Sequence, residues 1–428
     1  MREMKDSGVE WIGKIPREWD VIRNKNAFLC SKILVGDKST HMQLLSLTTK
    51  GIRKKDIKNP VGKLPESFDT YQYVKKKNIV MCLFDLDCSA VFSGISPYDG
   101  MISPAYKVLE CRNNMLARYA DYWFRYISDK RTFNHYAKNI RYTLNYNEFA
   151  DLPLLCISIE TQHRIADYLD NKCGKIDAII AHEQTVIEKL KAYKQSIITE
   201  AVTKGLNPHV KMKDSGIEWI GEIPENWNII KMARIIDKTQ NGLTRRDLTE
   251  SKGQIVLKLK NITATGQIDF SDINRIKLSE NEKLQYQLSD NDFLFVRVNG
   301  SKSLVGKCAI FQEKNEKIAF NDHIIRVKLT NKCQKKYIHW FLISEAGRRG
   351  IELLINTAAG QYTISGQGLR EIKISFPPRN EQKCISKYLT NKIIKFESII
   401  TKKQSVIDKL TEYKKSLIYE VVTGKKEV

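Results

Sequence analysis

QHRIADYLDNKCGKIDAIIAHEQTVIEKLKAYKQSIITEAVT, residues 162–203, returns as QKCISKYLTNKIIKFESIITKKQSVIDKLTEYKKSLIYEVVT at residues 382–423, without a gap and with about half the positions identical. Chance does not produce that, and a repeat of this length sets the frame of the whole fold. In the first copy apolar residues recur at Ile176, Ile179, Val186, Leu190, Tyr193 and Ile197, with Ile180 and Ile187 beside them. In the second they recur at Phe396, Ile399, Val406, Leu410, Tyr413 and Leu417. This is the a/d stripe of a heptad. Neither block contains Pro, and Lys, Glu, Gln and Thr fill the positions between, so each predicts about 30 residues of helix about 45 Å long. Neither stripe is satisfied alone. The spacing predicts that the two helices pack on each other as an antiparallel spacer with pseudo-two-fold symmetry; the alternative, each helix packing only on its own globule, stays open. Glu183 and Lys403 occupy equivalent a positions with opposite charge; a register-fixing role is one reading, and drift of the seam towards Ile180 and Ile187, which leaves them solvated, is the preferred expectation.

A second block repeats as well. KDSGVEWIGKIPREWDVI from Lys5 returns as KDSGIEWIGEIPENWNII from Lys213. Its tryptophans, Trp11 and Trp19 or Trp219 and Trp227, surround a Gly and an Ile-Pro. Large aromatics in such a turn cap a core more often than they dock a ligand, so the motif is assigned to packing. Each half of the chain thus runs opening motif, variable region, terminal helix. The variable regions, about 23–158 and 231–378, do not resemble each other. The expected domains are 1–158 and 206–378 as two recognition modules, and 159–205 and 379–428 as the two helical repeats.

The 428 residues are too many for one ordinary core. Hydrophobic residues make up 42% and charged residues 28%, enough for both an interior and a wet surface. No apolar run approaches the roughly 18 residues that span a bilayer. The start, MREMKDSGVEWIGK, has no apolar h-region, so a cytoplasmic location is expected. Lys plus Arg exceed Asp plus Glu by 71 to 49, a formal charge of +22. Such a field captures polyanions, nucleic acid first, although a Lys-rich surface without a ligand has the same sum. The nine cysteines show no C-x-x-C pair and no histidine at zinc-ligand spacing. They read as small buried hydrophobes in a reducing compartment, and no metal site is expected.

Both variable regions read as mixed α/β. In the second, QIVLKLKNI from Gln254, DFLFVRVNG from Asp292 and HIIRVKL from His323 have strand patterns, and KYIHWFLISEAGRRGIELL from Lys336 has helical spacing. In the first, NIVMCLF from Asn78 and AYKVLEC from Ala105 read as strands, and MLARYADYWFRYISDKRTF from Met115 as a helix. Catalytic patterns are missing. GSKSLVGK from Gly300 mimics a phosphate loop, but five residues separate its glycines and Cys308 stands where Ser or Thr must hold magnesium. The chain has no adenine-methyltransferase Pro-Pro motif after Asn or Asp, and its histidines are scattered.

These features resemble the specificity subunit of type I restriction–modification systems, in which two target-recognition domains alternate with two helical repeats. In the second half LKNITATGQIDF from Leu259, RVNGSKSLVGK from Arg297, NDHIIR from Asn321, the stretch 361–367 and FPPRNEQ from Phe376 look like one type of recognition domain. In the first, LLSLTTKGI from Leu44, YQYVKKKNIVM from Tyr71, GMISPAYKVL from Gly100 and IRYTLNYNEF from Ile140 resemble another. The first domain departs from the pattern by ending in CISIETQ, with Thr161 where the second copy has Glu381. The resemblance implies a non-catalytic DNA-binding chain that recognises a bipartite target and directs two adenine methyltransferase subunits, with restriction subunits joining. S-adenosylmethionine, ATP and Mg are then expected on the partner subunits and no cofactor on this chain. A free-standing DNA-binding regulator and the specificity chain of a related non-type-I methyltransferase are the alternatives. Half-sites read on successive turns would lie roughly 34 to 36 Å apart.

Arg pairs bidentately with guanine, and Asn or Gln with adenine, so polar residues at strand ends and in loops are the candidate readers. In the first module these are Lys50, Arg53, Lys54, Lys55, Arg141, Tyr142 and Asn145. In the second they are Lys260, Asn261, Arg297, Asn299, Ser301, Lys302, Gln361 and Tyr362. For each alone, a solvated side chain is the competing reading.

Overall fold

The computed structural model describes residues 2–57, 65–89, 92–137, 142–244, 253–263, 266–358 and 360–428. The chain divides into two units, Met1–Gln184 with Gln404–Val428, and Thr185–Lys403. In the first unit β1 (Phe28–Ser31), β2 (Leu45–Thr48), β3 (Gly51–Lys54), β4 (Ile79–Met81), β5 (Ser93–Ile95) and β6 (Lys107–Cys111) precede α1 (Ala117–Asp129). The long helix α2 (Ile159–Thr203) begins in this unit and ends in the second. An antiparallel sheet runs in the order β1-β6-β4-β5, while β2 and β3 pair as a separate hairpin. Helix α1 covers the sheet, with Tyr119, Trp123 and Phe124 packed among Phe28, Ile79, Met81 and Leu109.

The second unit holds β7 (Ile236–Asn241), β8 (Phe293–Val296), β9 (Val298–Asn299), β10 (Cys308–Ile310), β11 (Ile324–Leu329), α3 (Lys335–Ile343), α4 (Glu345–Glu352), β12 (Asn356–Ala358) and β13 (Gln361–Thr363). The other long helix, α5 (Arg379–Val422), starts here and ends in the first unit. Its sheet runs β7-β11-β8-β10, again antiparallel. Tyr337, Ile338, Phe341 and Leu342 of α3 pack among Phe293, Phe295, Ile325 and Val327. The two unlike variable regions therefore share one platform, with the same strand order and one helix across it. Strand β8 reads FLFV without alternation because both its faces are covered. Phe293 and Phe295 face α3, and Leu294 and Val296 belong to a separate cluster with Ile255 and Leu257.

The helix expected from Lys336 onward is two helices, α3 and α4. Ser344 interrupts the run with extended ψ of 164°, and its buried hydroxyl donates to the Phe341 carbonyl at 2.6 Å and accepts from the Gly347 amide at 3.1 Å. A Cβ on Gly347 would lie 2.0 Å from the Phe341 carbonyl oxygen, so this corner admits no side chain there. Periodicity survives a break that preserves the buried face, and spacing alone does not reveal it.

The long helices run to 45 and 44 residues, about 67 Å each at the usual rise, and so begin well before the heptad stripe. In the first unit Ile165, Leu169, Cys173 and Ile176 of α2 share a core with Leu417, Ile418, Val421 and Val422 of α5. In the second, Ile197, Ile198, Ala201 and Val202 share one with Ile385, Leu389, Ile393 and Phe396. The start of each helix thus meets the end of the other, which is the antiparallel pairing expected. Equivalent ion pairs recur, Lys414–Asp177 at 2.7 Å and Lys194–Glu397 at 3.3 Å; half exposed, they contribute about 0–1 kcal/mol each.

The buried row is not the a/d stripe read from the sequence. Ile176, Ile197, Phe396 and Leu417 are buried, and Val186, Leu190 and Leu410 are half-buried or at the margin. Ile179, Tyr193, Ile399, Val406 and Tyr413 are 43–57% exposed. The inward row runs instead through Ile180 and Ile187 in α2, and Ile400 and Ile407 in α5. An α-helix turns every 3.6 residues, not 3.5, so a seam drifts off a strict heptad unless the helices supercoil. Tyr193 still reaches its neighbour edge-on, 5.6 Å from the Phe396 ring. Glu183 and Lys403, expected to be solvated, are half-buried in this inward row and both are engaged.

Each long helix is anchored by a buried glutamine that the duplication places identically. The Gln162 side chain accepts from the Leu116 amide at 2.7 Å and donates to the Asn114 and Ile157 carbonyls. Gln382 accepts from the Gln334 amide at 2.8 Å and donates to the Pro377 carbonyl. Both are wholly buried, so removing the amide strands backbone groups away from water. Gln382→Ala is expected to destabilise the second unit by about 2–4 kcal/mol, measurable as a lowered urea midpoint.

The opening motifs form small hairpins, Met4–Asp6 with Lys14–Pro16 and Met212–Asp214 with Glu222–Pro224. Their tryptophans pack: Trp19 and Trp227 are buried, and Trp11 donates to the Tyr136 hydroxyl at 2.8 Å. Glu381 accepts from Trp227 Nε1 at 2.7 Å and from Asn226 at 2.9 Å; Thr161, its counterpart, pairs with Ser158 instead. Past each long helix a glycine turns left-handed, Gly205 at φ +80 and Gly424 at φ +70, where a side chain would press on Trp227 and Trp19 respectively.

Among the described residues no helix is long and apolar enough to cross a membrane. The nine cysteines are free thiols, but Cys88 and Cys384 are exposed, against the expectation that all nine are buried.

Candidate nucleic-acid interface

In the second unit a small sheet of order β9-β13-β12 stands beside the platform. Val298 opposes Thr363, Asn299 opposes Tyr362, and Ala358 opposes Gln361. Six of the eight residues singled out in this module, Arg297, Asn299, Ser301, Lys302, Gln361 and Tyr362, therefore lie on one sheet or in the turn leaving it. The Asn299 side-chain oxygen accepts from the Ser301 amide at 2.8 Å, fixing the turn while leaving its NH2 group outward. Lys302 is exposed with no carboxylate partner among the described residues.

Arg297 joins the platform to this sheet: its amide donates to the His323 carbonyl and its carbonyl accepts from the Ile364 amide. Its Nε is buried and unpartnered, and no carboxylate pairs with the guanidinium among the described residues. A half-buried guanidinium with its Nε unpartnered favours an incoming acceptor.

Lys260 and Asn261 belong elsewhere. Lys260 pairs with Asp272. Asn261 is 2% exposed; its amide donates to the Asp269 and Asp272 carbonyls and its oxygen accepts from the Lys258 amide. It is a loop clamp with no donor left for a base, because a loop without its own ladder must find partners for its backbone.

In the first unit the β2–β3 hairpin carries four candidates. Its register pairs Leu45 with Lys54, Ser46 with Arg53, Leu47 with Ile52 and Thr48 with Gly51. Alternation puts Arg53 on the outer face and Lys54 on the inner one. Both are exposed, and the Lys54 ammonium lies over the Tyr98 ring, 4.7 Å from its centroid. Lys50 stands exposed in the turn, where its amide donates to Thr48 Oγ1 at 3.1 Å. Lys55 is half-buried, its amide tied to the Leu44 carbonyl. Away from the hairpin, Tyr142 is 40% exposed with a left-handed φ of 44°. Asn145 is spent as the N-cap of the short helix Tyr146–Ala150, in a reciprocal capping box with Glu148. Arg141 lies outside the described residues.

Each unit also has a cleft beside its platform helix, of differing character. The first, about 830 Å3, is lined by Asp121, Asp129, Asp170 and Asp177 together with Lys50, Arg118, Arg125, Lys414 and Lys415. Its signs are nearly balanced, and four carboxylates make it a poor phosphate site. The second, about 610 Å3, includes His339, Trp340, Ile343 and Ile393. Burial holds the His339 imidazole down to about 4, with Cys308 Sγ 3.9 Å away. A depressed folded value means the stabilising neutral form is present above pH 6.5 and is lost as pH falls towards 4. His339 is expected to stay neutral at pH 5.5 by NMR titration, with the second unit already weakening as pH falls below 6.5. A midpoint near 6.5 would contradict its burial. No cluster of metal-ligating side chains occurs among the described residues.

Nothing in the periodicity marks β12, whose three residues are too few to alternate; the structure adds its Asn356 and Thr357, both exposed, to the same small sheet.

Residues 224–409 match the family described as the type I restriction modification DNA specificity domain. The chain is 27% identical over 224 residues to the type I restriction enzyme EcoKI specificity subunit of Escherichia coli (strain K12), covering 52% of this chain and 46% of that one. It is 26% identical over 226 residues to the StySPI specificity subunit of Salmonella potsdam, covering 53% and 47%. These matches span about half the length of the relatives. A chain solved in work on complex assembly and conformational transition of the type I R-M system superposes with a TM-score of 0.69 at 11% identity, covering 96% of this chain and 99% of the other. It shares the fold.

Proposed function

We propose that this chain, whose residues 224–409 match the type I restriction modification DNA specificity domain, is the non-catalytic specificity subunit of such an enzyme, reading a bipartite DNA target with one module per half-site. One observation carries this reading: a single platform occurs twice, and each copy presents a different set of exposed polar and cationic side chains. Arg53 and Lys50 stand out on a hairpin in the first unit; in the second, exposed Gln361 and half-buried Asn299 lie on a small sheet, with half-buried Arg297 just before it and exposed Lys302 in the turn leaving it. Shared platforms with unlike readers suit unlike half-sites. The net charge of +22 supplies the attraction for phosphate.

The reading extends to partners. On α2, Ile179 and Tyr193 are exposed at heptad spacing about the half-buried Val186; on α5, Ile399, Val406 and Tyr413 repeat the row. Apolar rows on otherwise charged helices are suited to helix docking. Their duplication supports two copies of one partner, the adenine methyltransferase subunits, which bring S-adenosylmethionine; restriction subunits would bring ATP and Mg. The assembly would work in the cytoplasm.

Co-expression tests it. The chain with its methyltransferase subunits should methylate adenines in a bipartite motif, and the purified chain alone should neither methylate nor cleave. Specific, high-affinity occupancy by the chain alone would favour a free-standing regulator.

A further inference from the structure

The hairpin β12–β13 touches the core of the second unit through Tyr362, while Asn356, Thr357 and Gln361 are exposed. Gly360, just before β13, has φ +76, and a Cβ built on it meets nothing within 4 Å. The hairpin register opposes Asn356 to Thr363, Thr357 to Tyr362 and Ala358 to Gln361. Strand alternation therefore puts Asn356 and Gln361 on one face, as diagonal neighbours about 7–8 Å apart. Both are exposed, and neither carboxamide has a partner among the described residues. The segment from Asn356 to Thr363 contains no charge. Cations flank it: Arg297 at the root of the neighbouring strand β9 and Lys302 in the turn beyond it.

Neutral amides towards the end of a ribbon with the Lys302 ammonium beside its root match the layout of a DNA groove, where base edges lie deep and phosphates line the rim. A major groove about 12 Å wide admits a two-stranded ribbon, and Asn or Gln presents donor and acceptor together to adenine N7 and N6. A 7–8 Å diagonal corresponds to about two base-pair steps of 3.4 Å. We infer that the β12–β13 hairpin enters the major groove and that Asn356 and Gln361 read adenines, about two steps apart, in the half-site of the second unit. This rests on the DNA-reading role proposed above and assigns it to two named side chains.

The test uses the full chain in complex with its methyltransferase subunits and maps modified adenines across a chromosome. The double variant Asn356→Ala, Gln361→Ala should relax at least one A·T position of one half-site by about tenfold or more. The other half-site stays intact and reports that the chain is folded. Gln361→Glu, which accepts but does not donate, should shift the preference at its position from A·T towards C·G. Wild-type discrimination at both half-sites in these variants overturns the inference about the hairpin alone. So does a double variant that loses methylation altogether while Gln361→Glu keeps the wild-type preference. A wild-type assembly that methylates no bipartite site overturns the functional reading, and this one with it.

Discussion

Deleting residues 404–428 is expected to unfold the first unit, more than 200 residues away in sequence from the cut, while the second unit stays folded. Leu417, Ile418, Val421 and Val422 are 0–3% exposed and complete the core that holds Tyr119, Trp123, Ile165 and Leu169. The Tyr119 hydroxyl also donates to the Val422 carbonyl. At about 1.5–3 kcal/mol per buried side chain the loss is about 6–12 kcal/mol, against a total of about 5–15 kcal/mol for a domain. Hydrogen exchange would read it: amides of α1 should lose protection and those of β8 and β11 should keep theirs. Retained protection in α1 would mean that the helix end is dispensable.

Arg297→Ala should relax a guanine position in one half-site by roughly 5- to 150-fold, from about 1–3 kcal/mol per bidentate pair. Stability should change by less than about 0.5 kcal/mol. The reason is that the Arg297 guanidinium has no hydrogen-bond or carboxylate partner among the described residues, and its buried Nε gains nothing from the folded state. Competition binding with half-site variants separates two outcomes. A change confined to one position is base reading. A uniform loss with a shallower salt dependence is phosphate contact, and would contradict the role given to Arg297.

The duplicated frame was legible because each copy obeys the same local constraints: a buried Gln at the helix start, apolar residues at helical spacing, and a glycine after the end. Which apolar row faces inward was not. Ile179 and Ile180 are adjacent in sequence, and only the drift of a real helix and the presence of a facing partner decide that Ile180 turns in. The shared platform was invisible for a related reason. Strand order depends on pairings such as β6 with β4, which side-chain patterns do not encode when the two regions have diverged.

Among the candidate readers, residue type alone did not reveal how each side chain is used in the fold. Asn145 and Asn261 carry the same carboxamide as Asn299, yet the first caps a helix and the second ties a loop. A short polar side chain near a turn satisfies backbone groups first, and is left for a ligand only when the local ladder is complete. Asn299 is half used in this way, and Asn356 not at all. The clustering of Arg297, Asn299, Lys302 and Gln361 came from β9 pairing with β13, a contact between segments some 60 residues apart.

Two readers on one frame make a specific demand on the modified genome, and single-molecule mapping of methylated adenines in cells with and without this gene tests it most directly. Methylation that depends on the gene should fall in a motif of two specified elements separated by unspecified bases, and exchanging residues 231–378 for another recognition region should rewrite one element only. A single uninterrupted motif, or an exchange that rewrites both elements together, would contradict it.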